Sequence, residues 1–340
     1  MALRGCGFTG RGRKKMAARA IAGLLLPAPM AQADALDQPL ALVDRAPLAQ
    51  IHGLPAPRAG AVLAPGQTET RLTYDVANNF VDMTGGDEAL VLDGETQRVE
   101  LAWRAGLGNG WEAGISVPFI QQRGGNLDSF IEGWHDFFGL PDGGRPAVAR
   151  NRLDYRYQRG NRIELNIDSP QSGIGDVQLD AAYRLWQRGD TQVALAASVK
   201  LPTGNADRLT GDGTTATDLT LAASTQNLWG SAVRGYANAG MVWLPDGDVL
   251  ADIQRNYVWH ASAGLSWPAY EFLALKIQLD LHQAFYRSDV RALGTDSILL
   301  VLGGTARLAP HWLLDIGVGE DLHVDTAPDV TLQIGLRWAQ

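Results

Sequence analysis

Cysteine is almost missing from this 340-residue chain: its single copy is Cys6. A disulfide framework is therefore excluded. Leu3-Arg4-Gly5-Cys6 has the look of a lipoprotein cleavage box, but no apolar segment precedes it to engage an export machinery. Positive charge is also scarce. Six of the 29 basic residues fall in the first 33 positions, where there is no acid, so the remainder carries 23 basic against 37 acidic residues, a formal charge of −14. An acidic surface of this kind repels nucleic acid, and no nucleic-acid partner is expected. Long apolar runs are lacking too. Ala20–Leu26 is closed off by Pro27 and Pro29, far short of the roughly 20 residues a membrane helix needs, and nothing downstream is as apolar.

What is present begins with the leader. Arg4, Arg11, Arg13, Lys14, Lys15 and Arg19 precede the apolar stretch, and Ala31-Gln32-Ala33 follows it. Basic, apolar and small residues in that order make residues 1–33 a secretory signal, with Met1 or Met16 as the start. Residues 34–67 contain Pro39, Pro47, Pro55, Pro57 and Pro65 without periodicity and read as an extended periplasmic arm.

Residues 68–338 are patterned differently. In the stretch 273–282, Leu273, Leu275, Ile277, Leu279 and Leu281 alternate with Ala274, Lys276, Gln278, Asp280 and His282. Such a segment is a strand with one apolar and one wet side. The alternation recurs near 71–78, 96–105, 111–121, 177–185, 192–201, 216–226, 233–244, 257–267, 298–308, 312–321 and 330–338. Many of these are about 10 residues long, enough to cross a bilayer at a tilt. Tight connections at 106–110, 187–191, 228–231, 268–271 and 309–311 alternate with long ones such as 82–95, 122–172, 203–215, 245–256, 285–296 and 322–328. Short turns at one end and long loops at the other are the pattern of an outer-membrane barrel. Seven of the ten Trp (Trp103, Trp111, Trp186, Trp229, Trp267, Trp312 and Trp338) sit at or beside the tight turns or the C-terminus. That is where a ring with an apolar face and a polar N–H meets a membrane interface. The expected fold is all-β, a transmembrane antiparallel up-and-down β-barrel of about twelve strands in the cell outer membrane. Its implied partners are outer-membrane lipids and lipopolysaccharide, and the barrel-assembly machinery during biogenesis.

The long segment 122–172 does not fit a plain loop. Ser129 and Glu132 form a capping box, Phe130, Trp134, Phe137 and Phe138 share a helical face, and Gly139 with Pro141 ends it. A short amphipathic helix in an extracellular loop is expected, with Glu132, Trp134, His135, Asp136 and Arg145 as functional candidates. Residues 155–157 and 162–165 beyond it suggest a small outer hairpin.

These residues carry a resemblance. Gly53-Leu-Pro55, Ala77-Asn-Asn-Phe80, Trp134-His-Asp-Phe-Phe-Gly-Leu-Pro-Asp-Gly-Gly-Arg145, and Gly173-Ile-Gly-Asp176 followed by Lys200-Leu-Pro-Thr-Gly204 resemble a family of proteobacterial outer-membrane proteins known only as a domain of unknown function. The last two motifs are also similar to barrels grouped with aromatic-compound uptake. The resemblance implies the barrel and implies no reaction or ligand.

The residues offer three kinds of chemistry. Glu132-x-x-His135 and Glu320-x-x-His323 have the spacing of dinuclear metal ligands on helices, but only the first pair reads as helical, so no metal or other cofactor is expected. A hydrolase of outer-leaflet lipids would need Ser129, His135 and Asp136 within hydrogen-bond reach. Ser129 and His135 face differently on a helix and no nucleophile elbow is present, so the chain reads as a non-enzyme. The third reading is a channel or uptake pore for a small-molecule solute, lined by Lys200, Arg234, Lys276, Asp280, His282, Arg307, Asp315 and Arg337. Its rival is a structural, envelope-integrity barrel whose lumen is plugged by paired charges.

Overall fold

The computed structural model describes residues 36–125, 151–323 and 325–340. The alternating segments become antiparallel strands: β1 (Thr68–Gly85), β2 (Glu88–Gly108), β3 (Trp111–Arg123), β4 (Asp154–Arg159), β5 (Arg162–Ile167), β6 (Gln171–Ile174), β7 (Val177–Arg188), β8 (Thr191–Leu201), β9 (Ala216–Thr225), β10 (Arg234–Trp243), β11 (Tyr257–Tyr270), β12 (Leu273–His282), β13 (Ser297–Ala309), β14 (Trp312–Asp321) and β15 (Val330–Ala339). Because β1 pairs with β2 on one side and with β15 on the other, the sheet has no free edge between first and last strand. Twelve strands close the barrel. β6 and β7 lie end to end beside β3, interrupted at Gly175 and Asp176, while β4 and β5 form the expected outer hairpin against β2.

The pleat sorts side chains as the alternation requires. On β12, Leu275, Ile277 and Leu279 are exposed on the outside, and Lys276, Gln278, Asp280 and His282 are buried inside. Apolar outside and polar inside suits a bilayer, since exposing each Leu or Ile to water would forgo about 1.5–3 kcal/mol. The tight turns gather at one end, where Trp103, Trp111, Trp186, Trp229, Trp267 and Trp312 point outward as an aromatic girdle. Between β2 and β3, Asn109 (φ 53°) and Gly110 (φ 83°) supply the left-handed pair that a two-residue hairpin turn demands.

Two expectations are corrected. The supposed loop 82–95 is strand: β1 and β2 stay paired up to Gly85 and Glu88, forming a ribbon beyond the barrel rim. Its Gly, Asp and Thr content reads as loop, but β4 supports it from the side, burying Leu90 and Leu92 beside Tyr157 and Tyr155. The second correction concerns the proline-rich segment. The described part of it, residues 36–67, is not an arm outside the barrel but a hairpin plug inside it. Leu36 packs on Ala274 and Leu313 at the turn end. The chain then climbs past Lys276, Gln278 and His282, which contact Gln38, Leu40 and Asp44. It turns over at a 3-10 turn, Gln50–His52, and descends past Glu112 to meet Gly106 again at the turn end. A polar lumen accepts the same residues that solvent does, so the sequence pattern does not distinguish the two.

The segment 126–150, with the expected helix and Glu132, Trp134, His135, Asp136 and Arg145, lies outside the described residues. Among the described residues the only α-helix is Arg291–Gly294, between β12 and β13. The loop end is closed by an apolar core to which the plug contributes Leu48 and Ile51, β4 Tyr155 and Tyr157, and the outer loops Leu209, Phe285 and Tyr286.

Candidate functional site

The plug meets the wall in three zones. On its ascending limb, Leu40 and Leu42 lie over Gly303, Gly317 and Gly319 of β13 and β14. A Cβ at Gly319 would stand 2.8 Å from Leu42 Cδ2, and one at Gly317 3.2 Å from Leu40 Cδ1. The wall is thus hollowed by missing side chains where the plug presents branched ones, and the contact is dry.

The apex is held by buried charge. The break between β6 and β7 turns Asp176 inward, where Oδ2 accepts from Lys200 Nζ at 2.8 Å and Oδ1 accepts from the backbone N–H of Gly204 at 2.8 Å. Lys200 also donates to Asp212 and, at 2.9 Å, to the Ile51 carbonyl of the plug. His52 Nδ1 lies 2.9 Å from the other oxygen of Asp212, and Nε2 lies 2.8 Å from the Tyr286 hydroxyl, which is also 3.2 Å from the Leu48 carbonyl. Phe285 stacks on the imidazole at a centroid distance of 4.7 Å. A carboxylate only accepts, so Nδ1 carries the proton and a neutral His52 accepts from Tyr286 through Nε2. Burial pushes the His52 imidazole below its ordinary value. Burial alone would raise Asp212, but the hydrogen bond from His52 and the charge of Lys200 outweigh it and hold the carboxyl below its usual range. Gly53 completes the fit: a Cβ there would come within 2.7 Å of Lys200 Cδ, and its φ of 76° is left-handed. Gly53, Gly175-Asp176 and Lys200–Gly204, far apart in sequence, are therefore one socket.

The third zone, at the turn end, is a belt of ion pairs. Lys276 donates to Thr305 Oγ1 at 2.5 Å and Thr305 to Asp315 at 2.5 Å; Arg337 grips Asp315 at 2.6 and 3.0 Å and reaches Glu69 at 3.4 Å. Arg104 links Glu69 (2.7 Å) to Glu112 (3.3 Å), which holds Arg58 of the plug at 3.0 Å. Removing one partner of such a network strands the others in low dielectric.

Between the plug's limbs and the wall remains a polar cavity of about 120 Å³, room for several waters. Arg71, Arg98 and Arg104 line one side, and Asp218, His260 and Asp280 another. The arginines, with Glu100 among them, stand on β1 and β2, across the ring from β9 to β12, which carry Asp218, His260 and Asp280.

All eight lumen candidates face inward, but they divide. Lys200 belongs to the apex socket, Lys276, Asp315 and Arg337 to the belt, and His282 and Arg234 pair with Asp44 (3.0 Å) and Asp37 (2.8 Å) of the plug. Arg307 sits half-buried beside the β11–β12 turn, where its backbone N–H meets the Phe272 carbonyl. Asp280 lines the cavity, and so does His282 beside its partner Asp44. His52, Asp176, Asp212, Tyr286, Arg71 and Asp180 were missed. The motifs Gly53–Pro55 and Gly173–Asp176 pointed at the first two, and the inner parity of β1 at Arg71. Glu320 and His323 are not brought together as ligands: His323 Nδ1 turns to the Asp296 carbonyl at 2.8 Å. Among the described residues no group of three or more His, Cys, Asp or Glu is placed to hold a metal. Thr220, His260 and Asp218 touch one another, but Thr220 and Asp218 meet the same ring atom, Nε2 (3.3 and 2.7 Å). A relay through the imidazole needs its two nitrogens, so the trio is not a catalytic triad.

An outer-membrane channel from Pseudomonas putida F1 has a similar fold, with a TM-score of 0.54 at 14% identity over 82% of this chain and 96% of that one. The NanC porin gives 0.44 at 11% identity over 80% and 98%, and the P. putida toluene transporter TodX 0.38 at 11% over 81% and 89%. No curated protein sequence matches. A family model described as "Protein of unknown function (DUF3187)" matches residues 24–339, nearly the whole length that carries the strands and the socket motifs, and the chain belongs to that family.

Proposed function

We propose that the protein is a gated outer-membrane channel for small polar solutes, closed in this conformation by residues 36–64. The observation that carries the reading is the character of the closure: a separate hairpin, bonded to the wall through side chains, next to a cavity with arginines on one side and Asp218 and Asp280 on another. Such a transverse arrangement orients and selects solutes. The solved structure with TM-score 0.54 is of a channel, which supports the reading through its fold alone. In this reading residues 1–33 are the export signal, the turn end faces the periplasm, lipopolysaccharide and phospholipid surround the apolar belt, and the barrel-assembly machinery inserts it. The chain acts without catalysis.

A permanently plugged structural barrel is the second reading, favoured by the apolar core that seals the loop end. Single-channel recording in planar bilayers separates them. The intact protein is expected to open rarely, and Lys200→Met, which leaves Asp176 and Asp212 without their cation, to open often. Silence in both, from protein shown to be folded, sinks the channel reading and leaves the structural one.

A further inference from the structure

Two charged groups facing the cavity are left over by the network around them. Arg71 projects inward from β1, opposite Ala102 of β2 and Arg337 of β15. Every carboxylate on its wall is engaged by another guanidinium: Glu69 by Arg104 and Arg337, Glu100 by Arg98 at 2.5 Å, Glu112 by Arg58 and Arg104. Among the described residues Arg71 has no hydrogen bond or ion pair, and its Nε is buried without a partner. Asp180, inward-facing on β7, likewise has none among the described residues, and it lines the same cavity beside Ser116 and Gln178. Arg58 and Arg104, and after them Arg71, are close enough to Asp180 for their charges to be felt there. None is within ion-pair distance of it, and Arg58 and Arg104 are held by Glu69 and Glu112. A half-buried cation and anion that share a cavity without touching are costly unless something spans them.

The geometry points to a subsite for a small zwitterion, with its carboxylate on the Arg71 guanidinium and its ammonium on Asp180. The guanidinium fork matches a carboxylate in two parallel bonds, and the Asp180 carboxylate accepts from an ammonium. A solute with one charged end would satisfy one pole and leave the other stranded. The cavity, at about 120 Å³, limits the ligand to the size of the smallest amino acids. The inference deepens the channel reading by naming the solute class, and its functional meaning rests on that reading; the binding itself does not require conduction.

The test is therefore equilibrium binding. Thermal unfolding of the detergent-refolded full chain is followed with increasing glycine, sodium acetate or methylammonium chloride, all at one ionic strength set with NaCl. Glycine is expected to raise the melting temperature saturably, as a ligand of the folded state does, and acetate and methylammonium to do so at least about tenfold more weakly, each lacking one charge-assisted bond. Arg71→Gln and Asp180→Asn are each expected to weaken glycine binding by about tenfold or more, and Arg71→Lys, which keeps the charge but loses the fork, by less. If either variant fails to give the heat-modifiable gel band of a folded barrel, Arg71→Lys and Asp180→Glu serve in its place. No saturable glycine effect, an effect matched by acetate or by NaCl, or one that persists in Arg71→Gln/Asp180→Asn overturns the subsite and assigns the cavity to bridging water. Glycine binding in a protein silent in bilayers would keep the subsite and remove the channel.

Discussion

The ascending limb of the plug and its apex meet the barrel on different terms. Along the limb, Leu40 and Leu42 fill a wall hollowed by Gly303, Gly317 and Gly319, so shape holds it and pH or salt has little to act on. At the apex, His52, Asp212, Lys200, Asp176 and Tyr286 are buried together, and only their mutual pairing makes that burial tolerable. One hairpin thus has a part that resists everything but a change of volume and a part that responds to charge. Seating and release are separable properties of the plug.

The largest blow to this contrast is Lys200→Met. It leaves two carboxylates buried without a cation and is expected to cost about 3–5 kcal/mol of stability, measured by urea unfolding of the refolded barrel, along with more frequent openings. Leu42→Ala attacks the limb and is expected to cost about 2–4 kcal/mol through the cavity it leaves over Gly319. Its effect should be the same at pH 5 and pH 8, whereas the apex should be sensitive to acid. A pH dependence of Leu42→Ala like that of the apex would mean the two zones open as one.

The smallest effect is that of acid itself. Because burial holds the seated His52 below its ordinary 6.5, a released His52 binds a proton that the seated one resists. Apex stability is complete above about pH 6.5 and falls as pH drops below it; Asp212, held below 3.8, adds a loss of the same sign in stronger acid. Asp176, raised by burial, contributes the opposite sign in the carboxylate range, and burial raises the Tyr286 hydroxyl away from it. Openings are expected to become more frequent between pH 7 and pH 5, and His52→Gln to flatten that dependence. Recordings in which His52→Gln keeps the full dependence would move it to other groups.

The barrel was legible because its signals are local. The alternation of 273–282 reports which side of β12 faces lipid, and the Trp positions report where the interface lies, whatever the rest of the chain does. The plug was illegible for the converse reason. Pro-rich, aperiodic sequence is what solvent-exposed chain looks like, and a wet lumen imposes the same demands. The outer ribbon was missed because Leu90 and Leu92 are buried only by β4, more than sixty residues on. The apex socket was half visible. Lys200 was placed on the inner face and the glycine motifs were noticed, but the bond between His52 and Asp212 joins residues 160 apart in sequence, and no local pattern encodes it.

The two ends of the described hairpin, Leu36 and Gly66, both lie at the turn end. The plug is therefore laid into the ring as a bight of cord, and is not threaded through it. Ring closure between β1 and β15 does not fix whether the described hairpin is in or out. Tension applied at Leu36 would load the limb one residue at a time, first Lys276 on Gln38, then Leu40 on its glycine floor, and only last the apex. Peeling of this kind needs far less force than shearing all the contacts together, so a modest pull at the turn end would do what pressure at the loop end could not.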